Sequence, residues 1–433
     1  MQVLDGRGML LAEIAEKLRR GRPAMDRALP AARDVLEAVR LRGDAALYEL
    51  TERFDRVRPA RLVLRRPDME AALSRLPAEF RESLAFAASQ IETFHRRQLS
   101  VGFEIPIGPN GSRAGQQPRA LQRVGVYVPA GPRGYPSSAL MGCIPARIAG
   151  VEEIIVATPP LPETAQPPDS VLAAAAIGGA DEVLVAGGAQ AIAALACGTE
   201  SVRPVDKIVG PGNVYVTAAK LLVQDRVATD GIAGPSEVLV VADDTLPLEA
   251  FAAELLAQAE HDAEAVAIGV AVADVDFPQL EKTLEAQARR LPRGREALGA
   301  LTRNGALLRL GSVEDAIDFA NRLAPEHLVL AVQGARSYLP GVRNAGCVFL
   351  GRATTAAYGD YTAGTNHILP TAGSARWRGG LGVRDFVKFL SFVEATPEDA
   401  VQLGSPAITI ARSEGFDAHA AALESRVASR GTP

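Results

Sequence analysis

Residues 1 to about 98 carry apolar positions at three-and-four spacing, the period of helices with one buried face. Pro30 to Arg42 and Ala45 to Phe54 are two such runs, broken by Arg42-Gly43-Asp44. A third runs from Pro77 to Leu99 and contains His95, which reads as a structural or surface histidine. This part carries no evident chemistry.

From Arg123 the pattern becomes short β-branched runs alternating with Ala-rich helical ones. Strands are expected at Val124–Val128, Glu152–Ala157, Glu182–Ala186 and Asp206–Val209, with helices between them. The alternation then restarts, with strands at Ser236–Asp243, Ala265–Val272, Ala306–Leu310, His327–Val332 and Cys347–Leu350. The clearest helices of this second stretch are Leu248–His261, Gln279–Leu291 and Val313–Leu323. Such alternation predicts an α/β fold with two parallel-sheet units, which bind ligands at the carboxyl ends of strands and frame a cleft. Past Trp377 a helical tail is expected, clearest at Ala395–Leu403 and Phe416–Ala428. The expected division is a helical region at 1–122, α/β units at 123–235 and 236–376, and a tail at 377–433 that makes a dimer contact.

A chain of 433 residues exceeds one compact core, in keeping with that division. Its 48% hydrophobic and 22% charged residues are those of a soluble globular protein. A net charge of -5 argues against nucleic acid or an anionic membrane as the partner. No apolar run reaches a membrane span and no signal peptide is visible. Cys143, Cys197 and Cys347 form no CxxC pair and read as buried thiols in a reducing compartment, by default the cytoplasm.

Several residues are candidates for chemistry. Gln258 and His261 are three apart at the end of a helix and share a face, either half a metal site or a polar helix end. Gly187-Gly188-Ala189-Gln190 and Gly210-Pro211-Gly212-Asn213 follow strands; each is a phosphate approach or a tight turn, and neither fits G-x-G-x-x-G. Glu326 and His327 are adjacent at the start of a strand, and both types move protons near neutral pH. Asp360 lies in Tyr358–Pro370, a run with almost no secondary-structure pattern, of the kind that is often functional. Glu414 and His419 are too far apart to share a helix face, and Gly415 allows the first to precede the helix of the second. Four of the five histidines fall between 261 and 419, which fits a site.

The stretches V-G-V-Y-V-P-A-G, G-G-A-Q-A-I-A-A-L-A-C-G-T-E, V-D-K-I-V-G-P-G-N, A-G-P-S-E-V-L-V-V-A-D, Q-A-E-H-D, A-P-E-H-L, G-D-Y-T-A-G-T-N-H-I-L-P-T and E-G-F-D-A-H occur in this order. Together they resemble the histidinol dehydrogenase family over essentially the whole chain. Small departures occur at Ala356-Ala357-Tyr358 and at Gly231-Ile232-Ala233. The resemblance implies two incomplete Rossmann-like parallel-sheet domains. It implies one zinc per subunit held by Gln258, His261, Asp360 and His419, the last from the neighbouring subunit of a homodimer with shared sites. It implies NAD contacts at Tyr127, Gln190 and Asn213, and substrate contacts at Ser236, Gln258, His261, His327, Asp360, Glu414 and His419.

The activity so implied is oxidation of L-histidinol through L-histidinal to L-histidine, the last steps of histidine biosynthesis, with two NAD molecules reduced in turn. His327 suits removal of the hydroxyl proton, and Glu326 suits deprotonation of the water that attacks the aldehyde. The zinc orients the substrate's imidazole and amine. A related dehydrogenase of another small alcohol, such as a sulfonated diol, is disfavoured by Glu414 and His419. A zinc hydrolase is disfavoured by the absence of H-E-x-x-H, and an inactive binding protein by acid–base residues gathered on loops.

Overall fold

Each strand expected between Arg123 and Leu350 forms, because its run is apolar without alternation and so can be covered on both faces of a parallel sheet. A computed structural model describes residues 1–18, 25–129, 131, 134–231 and 234–428. Its first strands are β1 (Gln2–Asp5), β2 (Val63–Arg65), β3 (Phe103–Pro106), β4 (Arg113–Ala120) and β5 (Arg123–Tyr127). Next come β6 (Glu153–Thr158), β7 (Glu182–Val185), β8 (Lys207–Val209), β9 (Ala228–Thr229) and β10 (Glu237–Ala242). The last are β11 (Val266–Ala271), β12 (Ala306–Arg309), β13 (His327–Ala331), β14 (Cys347–Leu350) and β15 (Val387–Glu394).

The described residues divide into two units, 1–98 with 122–386, and 99–121 with 387–433. The larger unit holds two six-stranded sheets, ordered β2-β7-β6-β5-β8-β9 and β1-β12-β11-β10-β13-β14. Within each, the five consecutive strands β5 to β9 or β10 to β14 are parallel, with the order 3-2-1-4-5 of an incomplete Rossmann-like sheet. The chain reverses direction across the sheet between β5 and β8 in one and between β10 and β13 in the other.

The two faces of β10 serve separate halves of a core. Val238 and Val240 pack with Phe251, Leu255 and Leu256, whereas Leu239 and Val241 pack with Phe319 and Leu323. Four strands, β1 to β4, were not expected in the helical region at 1–122. β1 adds in parallel to β12, and β2 adds antiparallel to β7. Strands of four and three residues are too short to announce a period of two.

One buried ion pair pins the first sheet. Lys220 Nζ lies 2.6 Å from Asp230 Oδ1, with side chains 5% and 6% exposed. Lys220 Nζ also donates to the Gly210 carbonyl, while Asp230 Oδ2 accepts the Gly210 N–H at 2.7 Å. Gly210 has φ +115°, and a Cβ there would stand 2.0 Å from the Tyr127 carbonyl oxygen. Only glycine permits this approach.

The smaller unit contains the antiparallel sheet β15-β4-β3 and the helices Ala400–Ser413 and Asp417–Ala428. The expected helical tail is therefore preceded by a strand. Val-Lys-Phe-Leu-Ser-Phe-Val-Glu is rich in β-branched and aromatic residues, and its partner β4 lies far away in sequence. The helix expected from Ala395 begins only at Ala400, after Pro397. Asp399, fully buried, accepts hydrogen bonds from the Asn110 and Ser112 backbone.

Replacing Lys220 by Met should destabilise the fold by about 3–5 kcal/mol, because Asp230 would remain buried without its cation. Denaturant unfolding checks this, and an unchanged midpoint would show that the pair is not a structural pin.

Candidate functional site

The two sheets of the larger unit meet one cleft with opposite edges. β5 and β8 present carboxyl ends, with Pro129 after the first and Gly210-Pro211-Gly212 after the second. β10 and β13 present amino ends, with Ser236 and Glu326 immediately before them and His327 opening β13. Ligand binding at carboxyl ends was expected of both sheets; in the second the clustered polar residues stand at the amino ends. The reason lies in the register. Val238 pairs with His327 in parallel strands, which sets Ser236 and Glu237 beside Glu326.

A single residue, Glu237, holds the acid and the imidazole together through its backbone. Its N–H donates to Glu326 Oε2 at 2.8 Å, and its carbonyl accepts from His327 Nδ1 at 3.0 Å. Ser236 Oγ donates to the same Glu326 oxygen at 2.7 Å. The Glu237 carboxylate in turn accepts the Ala372 N–H at 2.8 Å. Because a carbonyl can only accept, this contact fixes the proton on His327 Nδ1 and leaves Nε2 as the basic nitrogen. Nε2 lies 3.8 Å from Asp360 Oδ1.

Glu326 and His327 are 6% and 4% exposed. Burial pushes the Glu326 carboxyl above its ordinary range, against the opposing pull of His327, Ser236 and the Glu237 N–H. A carboxylate so raised is a stronger base toward water than an ordinary one.

Asp360 belongs to a short helix, Ala356–Tyr361, where a patternless run was expected. Thr355 caps it by accepting the Ala357 N–H. Six residues are too few to display a helical period. Beyond it His367 points Nδ1 at the Asp360 carbonyl, 3.1 Å away, and Nε2 at Ser138 Oγ, 3.2 Å away. Burial lowers the His367 pKa, opposed by the nearby Asp360 charge. No role had been attached to His367 or Ser138 from the sequence, although His367 follows Asp360 in the same glycine-rich run. Glu254 was also missed: burial raises its pKa, and it accepts the Ala356 N–H one turn before Gln258.

Gln258 ends the helix Leu248–Ala259 and is 4% exposed. Its Nε2 is buried without a hydrogen-bond partner. Amide nitrogen and oxygen exchange places on a half-turn, so the same position can present an acceptor oxygen to a cation. His261, one turn on, lines the cleft with Asp360, Ser236, Glu326 and His327. Among the described residues no three His, Cys, Asp or Glu side chains gather as a metal site. An imidazole, a carboxylate and an amide are what this chain's larger unit offers, a donor set compatible with zinc but one ligand short of four.

Tyr127, Gln190 and Asn213 are not among the residues lining this cleft. The buried Tyr127 hydroxyl accepts the Gly188 N–H at 3.0 Å, and burial raises its pKa to about 12. Gln190, 2% exposed, lies against Gly188, whose φ is +62°. Asn213 caps the helix Val214–Leu222, its Oδ1 accepting from Tyr215 and Val216. In the smaller unit, Glu414 ends one helix, Gly415 turns at φ +77°, and His419 lies in the next, with Glu414 and His419 both exposed. His95 is structural: fully buried, it donates from Nδ1 to the Ile91 carbonyl at 2.8 Å. Parts of the expected turn at 129–136, namely 130, 132 and 133, and the departure at 232–233 lie outside the described residues.

The family model described as histidinol dehydrogenase matches residues 18–427. The histidinol dehydrogenase of Rhodopseudomonas palustris is 45% identical over 402 residues, 92% of this chain and 93% of that protein. That of Methanothermobacter thermautotrophicus is 43% identical over 414 residues, 96% of this chain and 97% of that protein. The crystal structure of histidinol dehydrogenase from Elizabethkingia anophelis matches with a TM-score of 0.91 at 35% identity, covering 100% of this chain and 99% of that one.

Glu326 is expected to titrate above the ordinary carboxylate midpoint of about 4.3. Ser236→Ala should raise it further, since a hydrogen bond to the charged form is lost. Carboxyl carbon NMR across pH reads both; a midpoint at or below the ordinary one would contradict the burial argument.

Proposed function

The chain belongs to the histidinol dehydrogenase family, and from that premise we propose how its cleft performs the family's reaction. It is an oxidoreductase that oxidises histidinol in histidine biosynthesis. The observation that carries the residue assignment is the basic Nε2 of His327, fixed by the Glu237 carbonyl and directed toward Asp360.

In the proposed course, L-histidinol is oxidised to L-histidinal and then to L-histidine. His327 Nε2 takes the proton of the substrate hydroxyl while the carbinol carbon gives up hydride. Glu326 then takes a proton from the water that adds to the aldehyde, a task its raised pKa suits. Ser236 keeps that carboxylate oriented between the two steps. Bound NAD supplies the hydride acceptor in each oxidation, and bound zinc supplies a fixed positive charge that orients the substrate's nitrogen atoms.

Gln258, His261, Asp360 and His419 would hold the zinc, one per subunit. The unpartnered amide of Gln258 and the cleft positions of His261 and Asp360 support this set. A donor set one short within the larger unit supports delivery of His419 by the neighbouring subunit of a homodimer. So do the exposed apolar residues of β15: Phe389 at 47%, Leu390 at 56% and Val393 at 73% exposure are a surface that a second copy would cover. Glu414 would accept from the substrate's imidazole N–H. Ser236, Gln258, His261, His327, Asp360, Glu414 and His419 together form the substrate site in this reading.

Tyr127, Gln190 and Asn213 are proposed as NAD contacts, near the Gly187–Gly188 and Gly210–Gly212 turns at the carboxyl ends of the first sheet. The units at 123–235 and 236–376 would then be the cofactor and acid–base halves of one catalytic body, with the 1–122 region and the 377–433 tail as additions. Three free cysteines support residence in a reducing compartment such as the cytoplasm.

Zinc-loaded protein given L-histidinol and excess NAD should form two NADH per histidinol consumed. One NADH per substrate would remove the aldehyde step from the account, and none would refute it. His261→Asn should lose bound zinc and most activity while remaining folded; metal analysis showing full occupancy would mean the ligand set is wrong.

A further inference from the structure

We infer that Arg378 holds the pyrophosphate of the dinucleotide cofactor, an assignment that rests on the NAD reading above. Arg378 lines the cleft and is half-buried, yet its guanidinium makes no hydrogen bond or ion pair with any described residue; only its backbone N–H is engaged, by the Ser374 carbonyl. Lys220, the other fixed cation of the lining, is already committed to Asp230 and the Gly210 carbonyl. A guanidinium drawn partly out of water without a counter-charge is a site prepared for an anion.

Its location selects the anion. Gly231 has φ +107°, and a Cβ there would stand 1.6 Å from Arg378 Nη1, so the bare backbone at 231 is what admits the guanidinium. Gly231 follows Asp230, whose carboxylate accepts the Gly210 N–H at the start of the Gly-Pro-Gly turn. Arg378 thus stands past the carboxyl end of β9, the neighbour of β8, and lines the same cleft as Pro129 and Gly210-Pro211-Gly212, which follow β5 and β8, the pair at which the first sheet reverses its strand order. Parallel sheets of this order receive dinucleotide phosphates at that reversal.

Histidinol carries an amine, an imidazole and a hydroxyl, and so brings no anion. The dinucleotide brings two linked phosphates, which match the paired donors of a guanidinium. The segment that leads to Arg378 is anchored at Thr371, whose Oγ1 accepts the Gly234 N–H at 2.6 Å, and at Ala372, bound to the Glu237 carboxylate. The phosphate-holding group and the acid–base clamp therefore hang on one short stretch of chain.

The test compares wild type, Arg378→Ala and Arg378→Lys, all zinc-loaded, by calorimetric titration with NADH, ADP-ribose, L-histidinol and L-histidine. Arg378→Ala should bind NADH and ADP-ribose roughly ten- to hundredfold more weakly. Histidinol affinity and the thermal midpoint should be unchanged, and Arg378→Lys should recover part of the loss. If the alanine variant does not fold, Arg378→Gln keeps the stem and serves the same comparison. Unweakened NADH binding in a folded variant would overturn the inference. So would a loss confined to L-histidine, which would mean that the guanidinium receives the product carboxylate. Wild-type protein that binds neither NADH nor ADP-ribose would overturn the cofactor reading and this inference with it, an outcome separable from a defect seen only in the variants.

Discussion

The arrangement of the site depends on one residue's backbone. Glu237 gives its N–H to the Glu326 carboxylate and its carbonyl to His327 Nδ1, so two adjacent side chains, one just before β13 and one opening it, are fixed by two atoms at the start of β10. Both side chains are nearly buried, and a buried polar group without a partner costs about 1–3 kcal/mol. The contacts therefore stabilise the strand ends as well as orienting the reacting groups. They also require the parallel register of β10 and β13 to be correct, since a slip of one residue turns every side chain to the opposite face.

The polar groups around the cleft divide into those satisfied by the chain and those left for a ligand. Lys220 and Asp230 neutralise each other, and His367 is held between the Asp360 carbonyl and Ser138. Glu326 is held by Ser236 and Glu237. The buried amide nitrogen of Gln258 and the guanidinium of Arg378 have no such partners among the described residues. These lie on the two different sheets' sides of the larger unit, Gln258 on the helix after β10 and Arg378 against Gly231 after β9. The first fits a cation and the second an anion. A metal that grips the substrate and a phosphate that anchors the cofactor are the natural pair of occupants.

Much of this was legible in the sequence because parallel strands buried on both faces leave uninterrupted runs such as Val238–Ala242. The adjacency of Glu326 and His327 marked a proton-moving pair, and the glycines after β7 and β8 marked strand-to-helix turns. What was not legible has physical causes. β1 and β2 are too short for a period, and β15 depends on a distant partner. The use of amino ends by the second sheet follows from helix returns and register, which spacing along the chain does not encode. Gln258 is an unusual zinc donor by type, and its unpartnered amide is visible only in three dimensions. His367, Glu254 and Arg378 are single polar residues whose meaning comes from burial and neighbours. The roles given to Tyr127, Gln190, Asn213, Glu414 and His419 came from resemblance, not from pattern.

The central claim is that the Glu237 carbonyl sets the tautomer of His327. Nitrogen-15 NMR of imidazole-labelled protein at neutral pH, with the signal assigned by comparison with His327→Asn, tests it most directly. A His327 ring protonated at Nδ1 and bare at Nε2 is the predicted state. A neutral ring protonated at Nε2 would contradict it, because the nitrogen facing the cleft would then have no lone pair with which to accept the substrate's proton.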